Sequence, residues 1–466
     1  LKKIFKTSFF FAHFASFAVN EKGTKMKTTR RVFLKQGAMA LVAAGVGPSF
    51  GPSFLRNTAF AAEPNRSGKA GGGRKILICI FQRGAVDGLS MVVPHGDPYY
   101  YQHRALNGIA IPRTGENSVL DLDGTFGLHP ALAPLKPLYD QKHLAAIQAV
   151  GSPNATRSHF DAQDFMETAI LDKTARDGWL ARTLENCPED AARKANHSSA
   201  FRGVAMTGQV PRSFQGFPEA LAIPDLDTFD VQGNATMMSG GSAAGGFESL
   251  YDGAVGDVLH GTGQETFEAL KELRSITAKP YAPAAGARYP NGNFGESLRQ
   301  IAQLIKANVG LEIAFAESGG WDTHANQGSS QGNLARRLAE LASGLAALHT
   351  DLGDRMNDVV VLTMSEFGRT VRQNGNSGTD HGHATCFFAL GGNVQGGQVL
   401  GQWPGLAPEQ LYKGPGDREG RDLAVTTDFR DVFAEISQKH MGVRDLKAVF
   451  PGYDSSPQKF RGVLKA

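Results

Sequence analysis

The chain has 466 residues, 20% of them charged and 41% hydrophobic, with a formal net charge of +3. That is globular composition, with enough chain for one large or two medium domains. There is no Lys/Arg block with interleaved aromatics, and part of the small positive charge lies in an N-terminal segment expected to be removed, so nucleic acid is not an expected partner.

The first 61 residues read as an address. Thr29-Arg30-Arg31-Val32-Phe33-Leu34-Lys35 has the form of a twin-arginine signal. The mildly apolar run Ala38 to Val46 follows, and then Ala59-Phe60-Ala61, the small-x-small pattern of a signal-peptidase site. Met26 is expected to be the start of translation, and residues 1–61 to be cleaved. Twin-arginine export carries folded proteins, often with metal already loaded. The expected partner during export is therefore the twin-arginine translocase, and the expected location is periplasmic or extracellular. No later run of about 18 apolar residues exists, so stable membrane insertion of the mature chain is not expected. Three cysteines allow one disulfide on count but imply no framework. Cys79 and Cys386 lie in apolar runs and read as small buried hydrophobes.

Residues 62–74 form a Gly/Ser/Pro-rich flexible lead-in, and residues 75–466 are expected to form one domain. Lys75 to Phe81 reads as a buried strand, running into a turn that carries Asp87. Pro130 to Asp140, with Leu132, Leu135 and Leu138, reads as a short helix, and Leu144 to Val150 as a second strand. Ser158 is a favoured N-cap and Asp161 nearly completes a capping box, so a helix is expected from Ser158. Phe201 to Ala222 is expected to add a strand and a loop. Gly/Ala/Pro-rich stretches at Gln232–Phe247 and Thr277–Phe294 bracket a helical piece, Glu248 to Ser275, and the section from about 201 to 294 reads as a cap or insertion. Regular alternation then resumes. A helix is marked by Leu298, Ile301, Leu304 and Ile305, followed by a strand over Gly310–Ala316 and a helix over Leu334–Leu348. The wholly apolar Val359–Leu362, a strand over Cys386–Leu390 and a helix near Asp428–His440 complete the series. This alternation predicts the α/β class, as an α/β/α sandwich with a mostly parallel central sheet.

Open sheets of this kind build their sites at the carboxyl ends of the strands. Residues able to meet there are Asp87, Arg157-Ser158-His159, Asp322-x-His324, and the Asp358–Thr385 connection with Glu366, Arg369, Asp380, His381 and His383. Asp and His without Cys suit a divalent metal such as zinc, manganese, calcium or magnesium. Side chains at i and i+2 of an extended segment project together, so Asp322 with His324, and His381 with His383, are each candidates to share a metal. Asp87 either binds metal or holds its own turn. Glu366 and Arg369 either join the site or pair with each other across a turn. Ser158 either caps its helix or attacks an ester whose anion is received by free backbone N–H groups. Arg157 either clamps an oxyanion or sits in solvent. His129, His143, His349 and His440 read as surface or core histidines.

Five segments carry a resemblance over nearly the whole mature chain: Arg83 to Leu89 (RGAVDGL), Thr156 to Gln163 (TRSHFDAQ), Gly319 to His324 (GGWDTH), Ser365 to Arg369 (SEFGR) and Gly378 to Gly382 (GTDHG). They resemble the motifs of an exported bacterial family described as a domain of unknown function, DUF1501, which has a twin-arginine leader. That family in turn resembles the alkaline phosphatase-like and sulfatase superfamily. The resemblance implies an alkaline phosphatase-like fold with a Gly-rich cap and a two-metal site. It also implies a metal-dependent hydrolase of a phosphate or sulfate ester, small-molecule or polymer, acting through a covalent Ser intermediate. Asp87, Ser158, Asp322 and His324 match the superfamily's motifs in order. Beyond them two registers fit: either Glu366 replaces the Asp-His dipeptide and His381 or His383 is the last His, or Asp380-His381 is the dipeptide. Arg157, Ser158 and His159 would be catalytic. Asp87, Asp322, His324, Glu366, Asp380, His381 and His383 would face metal. The alternative is a catalytically decayed envelope binding or assembly protein that retains the fold.

Overall fold

Every residue of Ile76–Gln82 (β1) is buried, and the period of two splits its side chains between two cores. Ile76, Ile78 and Ile80 pack on one side, and Leu77, Cys79 and Phe81 on the other. Each side chain contributes about 2 kcal/mol by leaving water. A strand buried on both faces belongs at the centre of a parallel sheet. The computed structural model places it there and describes residues 74–104, 108–188, 201–227, 276–277 and 280–465.

The other strands of the main sheet are Leu144–Gly151 (β2), Gly203–Ala205 (β3), Leu221–Ala222 (β4), Ile313–Ser318 (β5), Val359–Met364 (β6), Thr385–Gly391 (β7), Gln398–Leu400 (β8) and Thr427–Asp428 (β9). The order is β8-β2-β7-β6-β1-β5-β3-β4, with β9 also paired to β2. Every pairing is parallel except those of β7, which runs antiparallel to both β2 and β6. The principal helices are His159–Thr168 (α1), Trp179–Asn186 (α2), Asn293–Ala307 (α3), Asn333–Leu352 (α4) and Phe429–Lys439 (α5). One core joins α3, α4 and the Pro130–Asp140 turns to the sheet; the other joins α1, α2 and α5 to the opposite face. The result is an α/β/α sandwich with a mostly parallel nine-stranded sheet.

Local chemistry sets the ends of these elements. Ser158 is the N-cap of α1, accepting from the Asp161 amide, and Ala169 closes that helix in the left-handed conformation. The expected helix over Pro130–Asp140 is instead a 3₁₀ turn to Leu135 followed by a short α-helix, because Pro134 and Pro137 lack the amides a continuous ladder needs. Residues 201–227, expected to begin the insertion, carry β3 and β4 of the main sheet, so that section starts inside the core fold. The expected leader over 1–61, residues 62–73 of the lead-in and the helix expected over Glu248–Ser275 lie outside the described residues. No disulfide joins the three cysteines, and Cys79 and Cys386 face opposite cores. Among the described residues no helix is long and apolar enough to cross a membrane.

The core histidines are held by backbone groups. His129 accepts from the Ala131 amide through Nδ1 and donates to the Ser329 carbonyl through Nε2. His440 donates Nε2–H to the Ile76 carbonyl at 2.9 Å, and burial pushes its pKa down to about 4. Between about pH 4 and 6.5 only the unfolded chain then protonates at this position, so stability rises with pH across that window. Acidification through it is expected to remove about 3 kcal/mol on account of His440 alone. His440→Gln keeps a donor for Ile76 but cannot titrate. Urea unfolding across this pH range should therefore show a shallower slope in the variant, and an unchanged slope would refute the assignment.

Candidate metal centre

Strand direction decides what meets at the site. β1, β2, β5 and β6 run the same way, so the segments after Gln82, Gly151, Ser318 and Met364 leave one edge of the sheet. β7 is antiparallel and begins at that edge, so the residues preceding Thr385 arrive there as well. Two glycines permit close packing of this connection. A Cβ on Gly378 would lie 2.4 Å from the His324 carbonyl, and one on Gly382 would lie 2.4 Å from the carbonyl of Arg369.

Three imidazoles converge at this edge, and the Nδ1 atom of each meets an oxygen. His159 Nδ1 lies 2.8 Å from Glu366 Oε1, His381 Nδ1 2.9 Å from the Arg157 carbonyl, and His324 Nδ1 3.3 Å from Asp380 Oδ1. A carbonyl or carboxylate oxygen only accepts, so with the proton on each Nδ1 every Nε2 keeps its lone pair. Those lone pairs point together. His381 Nε2 is 3.0 Å from His159 Nε2 and 2.9 Å from His324 Nε2. Asp322 joins them, with Oδ1 3.0 Å from His324 Nε2 and 3.3 Å from His381 Nε2, and Oδ2 3.5 Å from His159 Nε2.

Converging lone pairs repel unless a cation lies between them. Metal–nitrogen bonds of about 2.0–2.1 Å put neighbouring ligand atoms roughly 3.0–3.4 Å apart, close to the spacings here. Donor atoms of His159, Asp322 and His381 lie within 4.8 Å of one another, with His324 adjoining. An imidazole whose other nitrogen donates to a carboxylate or carbonyl is the usual form of a metal-ligating His. The donor set therefore fits one divalent cation. Its nitrogen content suits zinc better than calcium, magnesium or manganese, which prefer oxygen.

The electrostatics follow from the partners. The Glu366 bond raises the His159 pKa against the effect of burial. Burial would push Glu366 up, but bonds from His159, Gln163 and the Gly84 amide leave it below the ordinary carboxylate range. Burial likewise opposes ionisation of Asp322, and the Arg369 guanidinium, 2.5 Å from Oδ1, outweighs it. The His381 pKa is pushed down by burial. Phe367 packs against the rings of both His159 and His381 as an apolar wall.

The structure brings together Asp322, His324, His381 and His159 as donors, with Glu366 and Asp380 behind two of the rings. Within the connection, Glu366 faces His159 Nδ1, Asp380 faces His324 Nδ1, and His381 faces the other two rings. Glu366 and Arg369 do not pair with each other; each holds a separate donor. Asp87 stands apart, fully buried, with both oxygens taken by Arg104 at 2.7 and 2.9 Å. His383 is separated from His381 because the chain bends there and is not extended. It stacks on Tyr412, where burial lowers its pKa to about 4. The Arg157 guanidinium, partly exposed, bonds Asp417 at 2.6 Å and Asp422 at 2.8 Å. Ser158 caps α1 through a long 3.5 Å contact, and its own O–H donates to no group among the described residues. Sequence reasoning did not separate donors from the groups that orient them, and it missed Phe367, Thr379 and Gln327. The first two lie inside quoted motifs, and Gln327 three residues beyond one.

Residues 74–449 match the family model described as "Protein of unknown function (DUF1501)". No protein with a curated description matches the sequence. Among solved structures, the chain is similar to one titled "Crystal structure of PsFucS1 sulfatase from Pseudoalteromonas sp.", at 11% identity and a TM-score of 0.34, covering 84% of this chain and 74% of that one.

Proposed function

This chain belongs to the DUF1501 family, and from that footing we propose that it is an exported metal-dependent hydrolase of a phosphate or sulfate ester. The observation that carries the reading is the convergence of three imidazole Nε2 atoms and Asp322, with Ser158, the N-cap of α1, as the residue before one of them, His159. A divalent cation held by His159, Asp322, His324 and His381 would supply a Lewis acid that stabilises charge developing on the ester oxygens.

The chain's own groups do the rest. Ser158 Oγ attacks phosphorus or sulfur, and the bond to the departing alkoxide breaks. The alkoxide takes up the Ser158 proton. Water then cleaves the seryl ester, restoring the Ser158 hydroxyl and releasing phosphate or sulfate. The first free amides of α1 receive the transferred anion, and Glu366, Asp380 and the Arg157 carbonyl keep the imidazoles turned inward.

One observation favours the second reading, an envelope binding or assembly protein without turnover: Arg157 is spent on Asp417 and Asp422 instead of facing the donors. Protein purified from the periplasm separates the two. Stoichiometric metal, turnover of an ester from a panel of phosphate and sulfate esters, and a loss of at least a hundredfold in Ser158→Ala are expected for the hydrolase. Stoichiometric metal with no turnover supports the second reading, and no metal at all refutes the first.

A further inference from the structure

A buried series of hydrogen bonds runs from the Asp87–Arg104 pair to the carboxylate of Asp322, with Gln327 at its hub. Gln327 is fully buried. Its Nε2 donates to Asp87 Oδ2 at 2.6 Å, and its Oε1 accepts from the Thr323 hydroxyl at 2.7 Å and the Thr379 hydroxyl at 2.9 Å. Thr379 Oγ1 in turn accepts from Arg369 Nε at 3.1 Å, and the Thr379 carbonyl accepts from Arg369 Nη2. The remaining fork of Arg369 reaches Asp322 Oδ1. Donation runs one way throughout, from Arg369 through Thr379 and Gln327 to Asp87.

The same network ties down the connection that carries His381. Arg104 holds Asp87 with one fork and donates to the carbonyls of Thr370 and Val371. The connection is thus fastened at 370–371 and again at 379. A polar network this deeply buried is a poor way to gain stability, since apolar packing of similar volume does as well or better. Its directionality is what apolar packing would lack. Asp322 is itself 42% exposed at the side chain, while Arg369 is fully buried. The carboxylate therefore takes its orientation from Arg369, and Arg369 takes its own from Thr379.

The geometry points to Gln327 and Thr379 as positioning residues that fix the Arg369 fork and, through it, aim Asp322 at the cation. This inference rests on the metal reading of the site. Outer partners of a metal ligand typically control about 10–100-fold in metal affinity.

The test measures zinc affinity of the full chain by competition with a chromophoric chelator, alongside urea unfolding of the metal-free protein. Thr379→Val keeps the side-chain shape and removes the hydroxyl, and a loss of about 10–100-fold in zinc affinity is expected. Thr379→Ser restores the hydroxyl and should recover the affinity. Placed on Arg369→Ala, Thr379→Val should cause no further loss, because its effect passes through Arg369. Arg369→Lys, which keeps the charge and loses the fork, serves in the same cycle if Arg369→Ala does not fold. Wild-type zinc binding that Thr379→Val leaves unchanged, or an equal loss in both backgrounds, overturns the positioning role alone. No zinc binding by the wild-type chain overturns the metal reading and this inference with it.

Discussion

His381→Ala is expected to lower zinc affinity by at least about a hundredfold while the protein stays folded. Zinc sites bind with about 10–16 kcal/mol shared among roughly four ligands, or about 3 kcal/mol each, and 1.4 kcal/mol is a factor of ten. His381 is the imidazole to choose because its Nε2 contacts both other rings and Asp322. The folded state loses little, since the ring lies partly exposed and its main fold contact is one bond to the Arg157 carbonyl, worth about 1 kcal/mol. Zinc competition and urea unfolding on the same preparation check both halves. Unchanged zinc affinity would sink the assignment of these nitrogens as ligands, and global unfolding would make His381 a structural residue.

Asp87→Asn is expected to do the reverse, destabilising the protein by about 3–5 kcal/mol. The substitution leaves Arg104 fully buried with its charge uncompensated, because both carboxylate oxygens serve that guanidinium. Burial favours the neutral acid, yet the Arg104 guanidinium, Ser90 and Gln327 hold the Asp87 pKa below its ordinary value. Total stabilities of about 5–15 kcal/mol make this a large share. Removing the whole pair in Asp87→Leu with Arg104→Met should recover only part of the loss, since the desolvation of two ions disappears while the Gln327 amide and the Thr370 and Val371 carbonyls lose their partners. Urea midpoints of the three proteins decide the matter. If Asp87 were a ligand instead, Asp87→Asn would lose metal as severely as His381→Ala; as an anchor of the Gln327 network it should lose no more than Thr379→Val.

The contrast between these residues shows where sequence reasoning runs out. Apolar runs such as Val359–Leu362 revealed the buried strands, because a strand covered on both faces has no polar positions to spare. Ser158 and Asp161 marked the start of α1, because a cap is satisfied within three residues. Asp322, His324 and His381 stood out by side-chain type alone. The fate of Asp87 was not legible, since its partner Arg104 is 17 residues away and the ion pair forms only when the two segments pack. His383 has the same chemistry and nearly the same position as His381, yet a bend sends it to Tyr412.

By itself, then, the sequence determined the layered α/β/α architecture, the edge of the sheet that carries the chemistry and the residue types gathered there. These depend on local periodicity and on strand order, which short-range patterns encode. Tertiary structure alone decided that β7 runs antiparallel, which brings the residues before Thr385 to the same edge as the ends of β1, β5 and β6. It also decided which oxygen faces the Nδ1 of each imidazole: Glu366, Asp380 and the Arg157 carbonyl. Two of those oxygens lie more than two hundred residues along the chain from the ring they orient, and no local pattern spans that distance.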